Sequence, residues 1–256
     1  MNLVSYNILD GGVGRADPIA EVIAARKPDV VVLVEADDAV VVERIARRLG
    51  MDVAAGRGER HGIAVLSAWE IAESIDHGRL DASFEGCFLE ATVRGPSGNP
   101  IVICGVHLHA RAREQDERRR QEQVDMILSR LERHRRTGRP HVICGDLNAN
   151  SPVQKIDPEQ CKPRTREDWA ANGGLIPRRA IAKLLAAGYV DTLYHCDPEL
   201  ASTGGTFTTK NPGQRVDYVL VHSIEPDRIV AAWIERDRLA QFASDHYPVG
   251  VRMEWE

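Results

Sequence analysis

Val30 to Val34 is an unbroken run of five apolar residues that stops on a carboxylate, Glu35. A short β-branched run of this kind reads as a central strand, buried on both faces. A carboxylate at its end is expensive unless it is paired or metal-bound. The arrangement recurs along the chain. Asn2 to Ile8 carries Asn7 near its end, Ile101 to His107 closes on an imidazole, and His141 to Cys144 leads into Asp146 and Asn148. Val216 to Val221 contains Asp217, and Pro248 to Glu254 follows Asp245 and His246. Further strands are expected at Gly62 to Ser67, Cys87 to Val93 and Ile229 to Glu235. Strand ends on one edge of a sheet converge in space, and ligand sites form there.

Helical patterns separate the strands. Asp17-Pro18 predicts a helix start with Asp17 as cap and Pro28 as stop, and Ala39 to Leu49 predicts a second helix closed by Gly50. Gly95 to Asn99 reads as a hairpin turn. A long charged helix is expected from Glu114 to Arg136, with Val124, Ile127, Leu128 and Leu131 on its apolar face. Its arginines are interleaved with acidic residues, so they predict a solvated outer face. Ser151 to Gly174 reads as a long irregular segment, either a loop bordering the site or a disordered stretch, and Pro177 to Ala187 as a short helix closed by Gly188. The two halves share one plan. The expected fold is therefore α/β: a four-layer α/β/β/α sandwich of two packed mixed sheets, with residues 1–256 as a single domain.

Composition narrows the setting. The chain carries a net charge of -5, so it has no global attraction to nucleic acid; a polyanion would have to be held by a metal and a local basic rim. Five cysteines, an odd number with no CxxC pair, argue against a disulfide framework and against a cysteine-based zinc site. Cys104 and Cys144 read as small buried hydrophobes in strands. No signal peptide and no membrane-length apolar stretch is visible. A cytoplasmic protein is expected, with no membrane association and no obligate protein partner evident.

Taken singly, the strand-end residues have bland readings too. Asn7 reads equally as a cap for the turn before Gly11-Gly12, and Glu35 as an external helix cap. His107 and His109 alternate along a strand like a zinc-binding HxH pair, but no third nitrogen or sulfur ligand accompanies them. Asp217 is the least comfortable as a structural residue, and a histidine is its natural partner. The strongest local signals are GDLN at Gly145 to Asn148 and SDH at Ser244 to His246. In GDLN the carboxylate and amide are two residues apart, so an extended chain shows both on one side.

Taken in order, these motifs resemble the endonuclease/exonuclease/phosphatase superfamily of deoxyribonuclease I-like phosphoesterases. The match runs through SYNI with Asn7, VLVEA with Glu35, IAVLS near Ala64, VHLH with His107, GDLN, RVDYVLV with Asp217, and SDH. The stretch GYVDTLYHCDPE before Thr206-Phe207-Thr208 is also similar to abasic endonucleases. The resemblance implies that Glu35 binds a catalytic Mg²⁺ or Mn²⁺, with Asn7 and Asp245 as direct or water-mediated ligands. Asp146 would position or deprotonate the attacking water, and Asn148 and His107 would grip the phosphate. His246, oriented by Asp217, would be the acid/base or transition-state stabiliser. Two departures stand out. Val34 occupies a position where the family commonly has glutamine. Tryptophans typical of abasic endonucleases are missing around Thr206 to Thr209, which argues against an abasic-sugar pocket.

A phosphate-ester substrate is therefore expected, with nucleic acid among the candidates. A nuclease or small-molecule phosphodiesterase, a phosphomonoesterase for a sugar or inositol phosphate, and an inactive phosphate-binding scaffold remain as alternatives. The filled site positions disfavour the scaffold. A nuclease calls for a basic track, for which Arg57, Arg60, Arg164, Arg166, Arg178 and Arg179 are the candidates.

Overall fold

A computed structural model describes residues 1–81 and 83–255. The first half runs β1 (Asn2–Asn7), α1 (Ala16–Ala24), β2 (Val30–Val34), α2 (Ala39–Leu49), β3 (Asp52–Arg57), β4 (Gly62–Ser67), β5 (Glu70–Asp76), α3 (His77–Leu80), β6 (Cys87–Arg94) and β7 (Pro100–His107). It continues with α4 (Glu114–Arg130), α5 (Glu132–Thr137), β8 (His141–Asp146), α6 (Pro163–Ala171), α7 (Arg179–Ala186) and β9 (Val190–Asp191). Last come α8 (Thr192–Cys196), α9 (Pro198–Thr203), β10 (Asp217–His222), β11 (Ile229–Ile234), α10 (Arg238–Ala243) and β12 (Val249–Met253).

The strands form two six-stranded sheets, ordered β11-β12-β1-β2-β4-β3 and β5-β6-β7-β8-β10-β9. Each has one parallel pair at its centre, β1 with β2 and β7 with β8, flanked by antiparallel neighbours. This mixed sandwich is the expected architecture, repeated in plan by the two halves. Side-chain alternation shows why the central strands are apolar throughout. Ile101 and Ile103 of β7 join the core between the sheets, while Val102, Cys104 and Val106 pack with Val124 and Ile127 of α4 and Ile181 and Leu184 of α7. The sheets approach closely over Gly105, where a Cβ would stand 2.9 Å from both Val32 and Ile63.

Several local expectations are corrected. Asp17 does not cap α1; it lies inside the first turn, and its carboxylate accepts from Arg44 and Arg48 of α2. Asp38 caps α2 instead, accepting from the amides of Val40 and Val41. Gly50 closes that helix at φ 67°, as expected. The long charged helix is two helices, because Leu131 leaves helical geometry at φ -89°, ψ 2° and the chain turns to bring His134 inward. Its arginines are not all solvated: Arg120 is buried against Glu117 and donates to the carbonyls of His109 and Arg111. The irregular loop contains α6. Strands β3 and β5 carried no expectation because they are largely exposed sheet edges without an apolar run. Among the described residues no helix is long and apolar enough to cross a membrane.

Candidate active site

The sheet topology dictates where the polar residues meet. β1, β2, β7 and β8 end at the same rim of the sandwich, and β10 and β12 run antiparallel to β8 and β1, so they begin there. Asp146, the last residue of β8, lies opposite both His107, the last of β7, and Asp217, the first of β10. Asn7 ends β1, Glu35 follows β2, and Asp245 and His246 precede β12. Asn148 sits just beyond Asp146. All eight expected residues therefore reach one rim. Six of them (Glu35, His107, Asp146, Asn148, Asp245 and His246) line one cavity of about 400 Å³.

Asn7 joins the two sheets. Its amide donates to Glu35 Oε1 at 3.0 Å and to Asp146 Oδ2 at 3.1 Å, while its Oδ1 accepts from the Leu9 amide at 3.0 Å. Asn7 thus braces the turn before Gly11 and at the same time touches two carboxylates at the rim. Glu35 is held at φ 57°, a left-handed conformation rare for glutamate. Its Oε2 accepts from the Asp10 amide at 2.9 Å. Burial works to raise its pKa, but the Asp10 amide, the Asn7 amide and the nearby His107 together hold the carboxyl below its ordinary range. Asn148 is also left-handed, at φ 47°; its backbone amide donates to Asp146 Oδ1 at 2.9 Å and its side chain to the Leu108 carbonyl at 3.1 Å.

The second sheet contributes a chain of charges. His246 Nδ1 donates to Asp217 Oδ2 at 2.9 Å, and its Nε2 lies 3.7 Å from Asp146 Oδ2. Both aspartates are buried. Burial of His246 works against the charged form, yet Asp217 and Asp146 outweigh it and raise the imidazole to about 10. Burial pushes Asp146 up to about 7 despite the pull of His246. Burial lowers His107 to about 4, although Glu35 opposes it; its Nε2 is 3.6 Å from Asp146 Oδ2. Ser244 secures the SDH turn, donating to the Asn7 carbonyl at 2.7 Å and accepting from the His246 amide at 3.2 Å.

Two metal geometries can be weighed. Donor atoms of Asp146, Asp217 and His246 all lie within 4.8 Å of one another. Ligation there would need a neutral imidazole, whereas His246 is already committed to Asp217 as a charged partner. Asp245 is different: its Oδ1 is buried without a hydrogen-bond partner, and its Oδ2 faces Lys162 Nζ at 3.3 Å. The orphaned Asp245 oxygen and the Glu35 carboxylate line the same cavity and are the oxygen donors that a hard divalent cation takes, while the Asn7 amide turns its N–H groups to Glu35 and Asp146 and its oxygen to the Leu9 amide. A zinc-type HxH site is not formed, because His109 turns away to Asp116 at 3.1 Å.

The basic rim differs from expectation. Only Arg60 and Arg164 of the expected six line the cavities at this rim. Arg166 pairs with Glu159, Arg179 with Glu114, and Arg178 donates to the Ser151 carbonyl. Arg111, Arg119 and Lys162 take their place around the main cavity. His61, paired with Asp37 at 3.2 Å, and Phe207, 4.6 Å from the His246 ring, also line it. No local motif marks these residues: Arg119 lies on α4, and the others come from connections whose path only the folded chain sets.

Two six-stranded mixed sheets with carboxylates, imidazoles and amides gathered at one shared rim define the deoxyribonuclease I-like class of protein. The chain belongs to the Endonuclease/Exonuclease/phosphatase family, whose model matches residues 4–246. Members of this family generally depend on a divalent metal. A curated relative, an exodeoxyribonuclease from Bacillus subtilis (strain 168), is 31% identical over 119 residues. That stretch is 43% of this chain and 43% of the relative, so the chain spans less than half the length of the relative it matches. Among solved structures, an AP endonuclease from Archaeoglobus fulgidus superposes with a TM-score of 0.77 at 20% identity, covering 100% of both chains. The 3′ phosphatase NExo from Neisseria, bound to a product DNA hairpin, superposes with a TM-score of 0.75 at 18% identity, again covering 100% of both chains.

Proposed function

We propose that the chain, acting as one domain over residues 1–256, is an Mg²⁺- or Mn²⁺-dependent phosphodiesterase that hydrolyses nucleic acid. The observation that carries this reading is the buried Asp217–His246–Asp146 series facing a cavity rimmed by Arg60, Arg111, Arg119 and Lys162. Family membership supports the phosphoesterase chemistry, and the likeness to an exodeoxyribonuclease favours a nucleic-acid substrate.

Glu35 and Asp245 would hold the cation, with Asn7 steadying the Glu35 carboxylate or reaching the cation through a water; when bound, the cation supplies Lewis-acid neutralisation of the phosphoryl charge. Asp146 orients the attacking water and accepts its proton, a role suited to a carboxyl raised to about 7. His246 is the imidazolium that meets the charge growing on the phosphate, and Asp217 fixes its orientation. Asn148 and the neutral His107 donate hydrogen bonds to non-bridging oxygens. The five cysteines are all unpaired, which supports a reducing, cytoplasmic setting.

The test is hydrolysis of a panel containing single- and double-stranded DNA, RNA, a 3′-phosphorylated oligonucleotide and inositol phosphates. Cleavage should vanish on chelation and return with Mg²⁺ or Mn²⁺. Full activity in excess chelator would remove this mechanism. Hydrolysis confined to the monoesters would replace the phosphodiesterase reading with a phosphatase.

A further inference from the structure

The segment between β8 and α7 is fastened beside the site. Asp168, buried in α6, accepts from Arg113 at 3.0 Å, from Arg111 at 3.2 Å and from the Ala112 amide at 3.3 Å. Asn172 accepts from the Glu114 amide and donates to the Ala112 carbonyl, both at 2.9 Å. Trp169 packs with Cys161 and Ala112 in a small core of its own. At the other end, Lys155 donates its amide to the Ser202 carbonyl at 2.8 Å. Lys162 is thus delivered to the site by a fixed strap.

Its ammonium stands between two cavities. The main cavity and a neighbouring one of about 210 Å³ share Arg111, Asn148, Lys162 and Phe207. Lys162 Nζ lies 4.0 Å from the centre of the Phe207 ring and 3.3 Å from Asp245 Oδ2. The Phe207 face favours a cation at this spot, while Asp245 takes only part of the ammonium's three-donor capacity. The pair with Asp245 is solvent-screened, with side chains 44% and 29% exposed. Such pairs shift an equilibrium by at most a few-fold, whereas a charge-assisted bond to phosphate is stronger.

We infer that Lys162 is a substrate-binding residue that holds Asp245 in the free enzyme and exchanges it for a phosphate oxygen of a strand crossing from one cavity to the other. This rests on the nucleic-acid reading above. It makes two consequences of opposite sign. Removing the lysine weakens the strand, but frees Asp245 for a divalent cation.

Binding is measured by fluorescence anisotropy in Ca²⁺ with a phosphorothioate DNA hexamer, which resists hydrolysis. Lys162→Gln should bind about tenfold more weakly, and the slope of log affinity against log salt should shrink by about 0.7, one single-strand phosphate contact. Lys162→Arg should keep the slope. In a separate calorimetric titration without DNA, Lys162→Gln should bind Mn²⁺ roughly two- to fivefold more tightly, the scale of a screened ion pair. Unchanged hexamer affinity in Lys162→Gln, or Mn²⁺ affinity that stays the same or falls, overturns the exchange while leaving the nuclease reading intact. Failure of the unaltered enzyme to bind the hexamer at all sinks both.

Discussion

Asn7 has one amide oxygen and two N–H groups, and the fold uses them to tie a turn, a carboxylate of one sheet and a carboxylate of the other. That single side chain sets the separation of Glu35 and Asp146. The pair Asp217 and His246 is arranged in a similar way, with the carboxylate orienting the ring at 2.9 Å. If His246 acts as proposed, His246→Ala should lower turnover by roughly two to four powers of ten, the scale of a positioned acid or base. Asp217→Asn should act in the same direction, and the double variant should lose little beyond His246→Ala because the two work as a unit. Steady-state kinetics on the three variants, with circular dichroism to confirm folding, checks this. Strictly multiplicative losses would separate the two residues. Unchanged turnover in folded His246→Ala would end its assignment.

At the level of elements, each sheet depends on close packing and on satisfied buried charge. Gly105 lies where β7 presses on β2 and β4, and a Cβ would stand 2.9 Å from Val32 and Ile63. Gly105→Val should cost about 2 kcal/mol, the usual penalty for overpacking a filled core, read as a lower urea midpoint with an unchanged slope. On β6, Glu90 is buried and accepts from His77 at 2.9 Å, His134 at 2.9 Å and Arg133 at 2.7 Å. Burial works to raise this carboxyl, but His77, His134 and Arg133 outweigh it and hold it at about 2. A carboxyl whose folded pKa lies below its unfolded value contributes stability that is fully present above the unfolded value, near 4.5. That contribution is lost as pH falls from there towards about 2. Glu90→Gln should therefore lower stability near pH 7 by about 2 kcal/mol, read as a lower urea midpoint, the scale of charge-assisted hydrogen bonds lost from a buried carboxylate. The gap between variant and parent should narrow on acidification below pH 4.5. A gap that stays constant down to pH 2 would show that the Glu90 charge contributes nothing.

For the whole molecule, the substrate is set by loops around the rim. Phe207, the aromatic residue nearest the proposed centre, packs against His246 and carries Lys162 over its ring. It is already occupied, and Gln214, which pairs with it across an isolated bridge and lines the smaller cavity, is polar and bonded to Asn150 at 3.0 Å. Cleavage at an abasic site should accordingly not exceed cleavage of matched undamaged DNA by a wide margin, as gel-resolved rates on paired duplexes would measure. Strong selective incision at the abasic site would show that these residues form a pocket after all.

Apolar runs and the polar residues that end them were legible in the chain itself, because a strand buried on both faces admits few residue types and a carboxylate at its end demands compensation. From that followed the two-sheet fold and the eight rim residues, Asn7 to His246. Edge strands β3 and β5 left no such mark, since a strand facing solvent is free in composition. Arg120 likewise looked like one more surface arginine until the fold brought the carbonyls of His109 and Arg111 to it. The path of the strap that carries Lys162, the turning of His109 to Asp116, and the choice of Arg60, Arg111 and Arg119 for the rim were decided by the tertiary structure alone. Such residues meet only through contacts distant in sequence, and no local pattern of charge or periodicity encodes those distances.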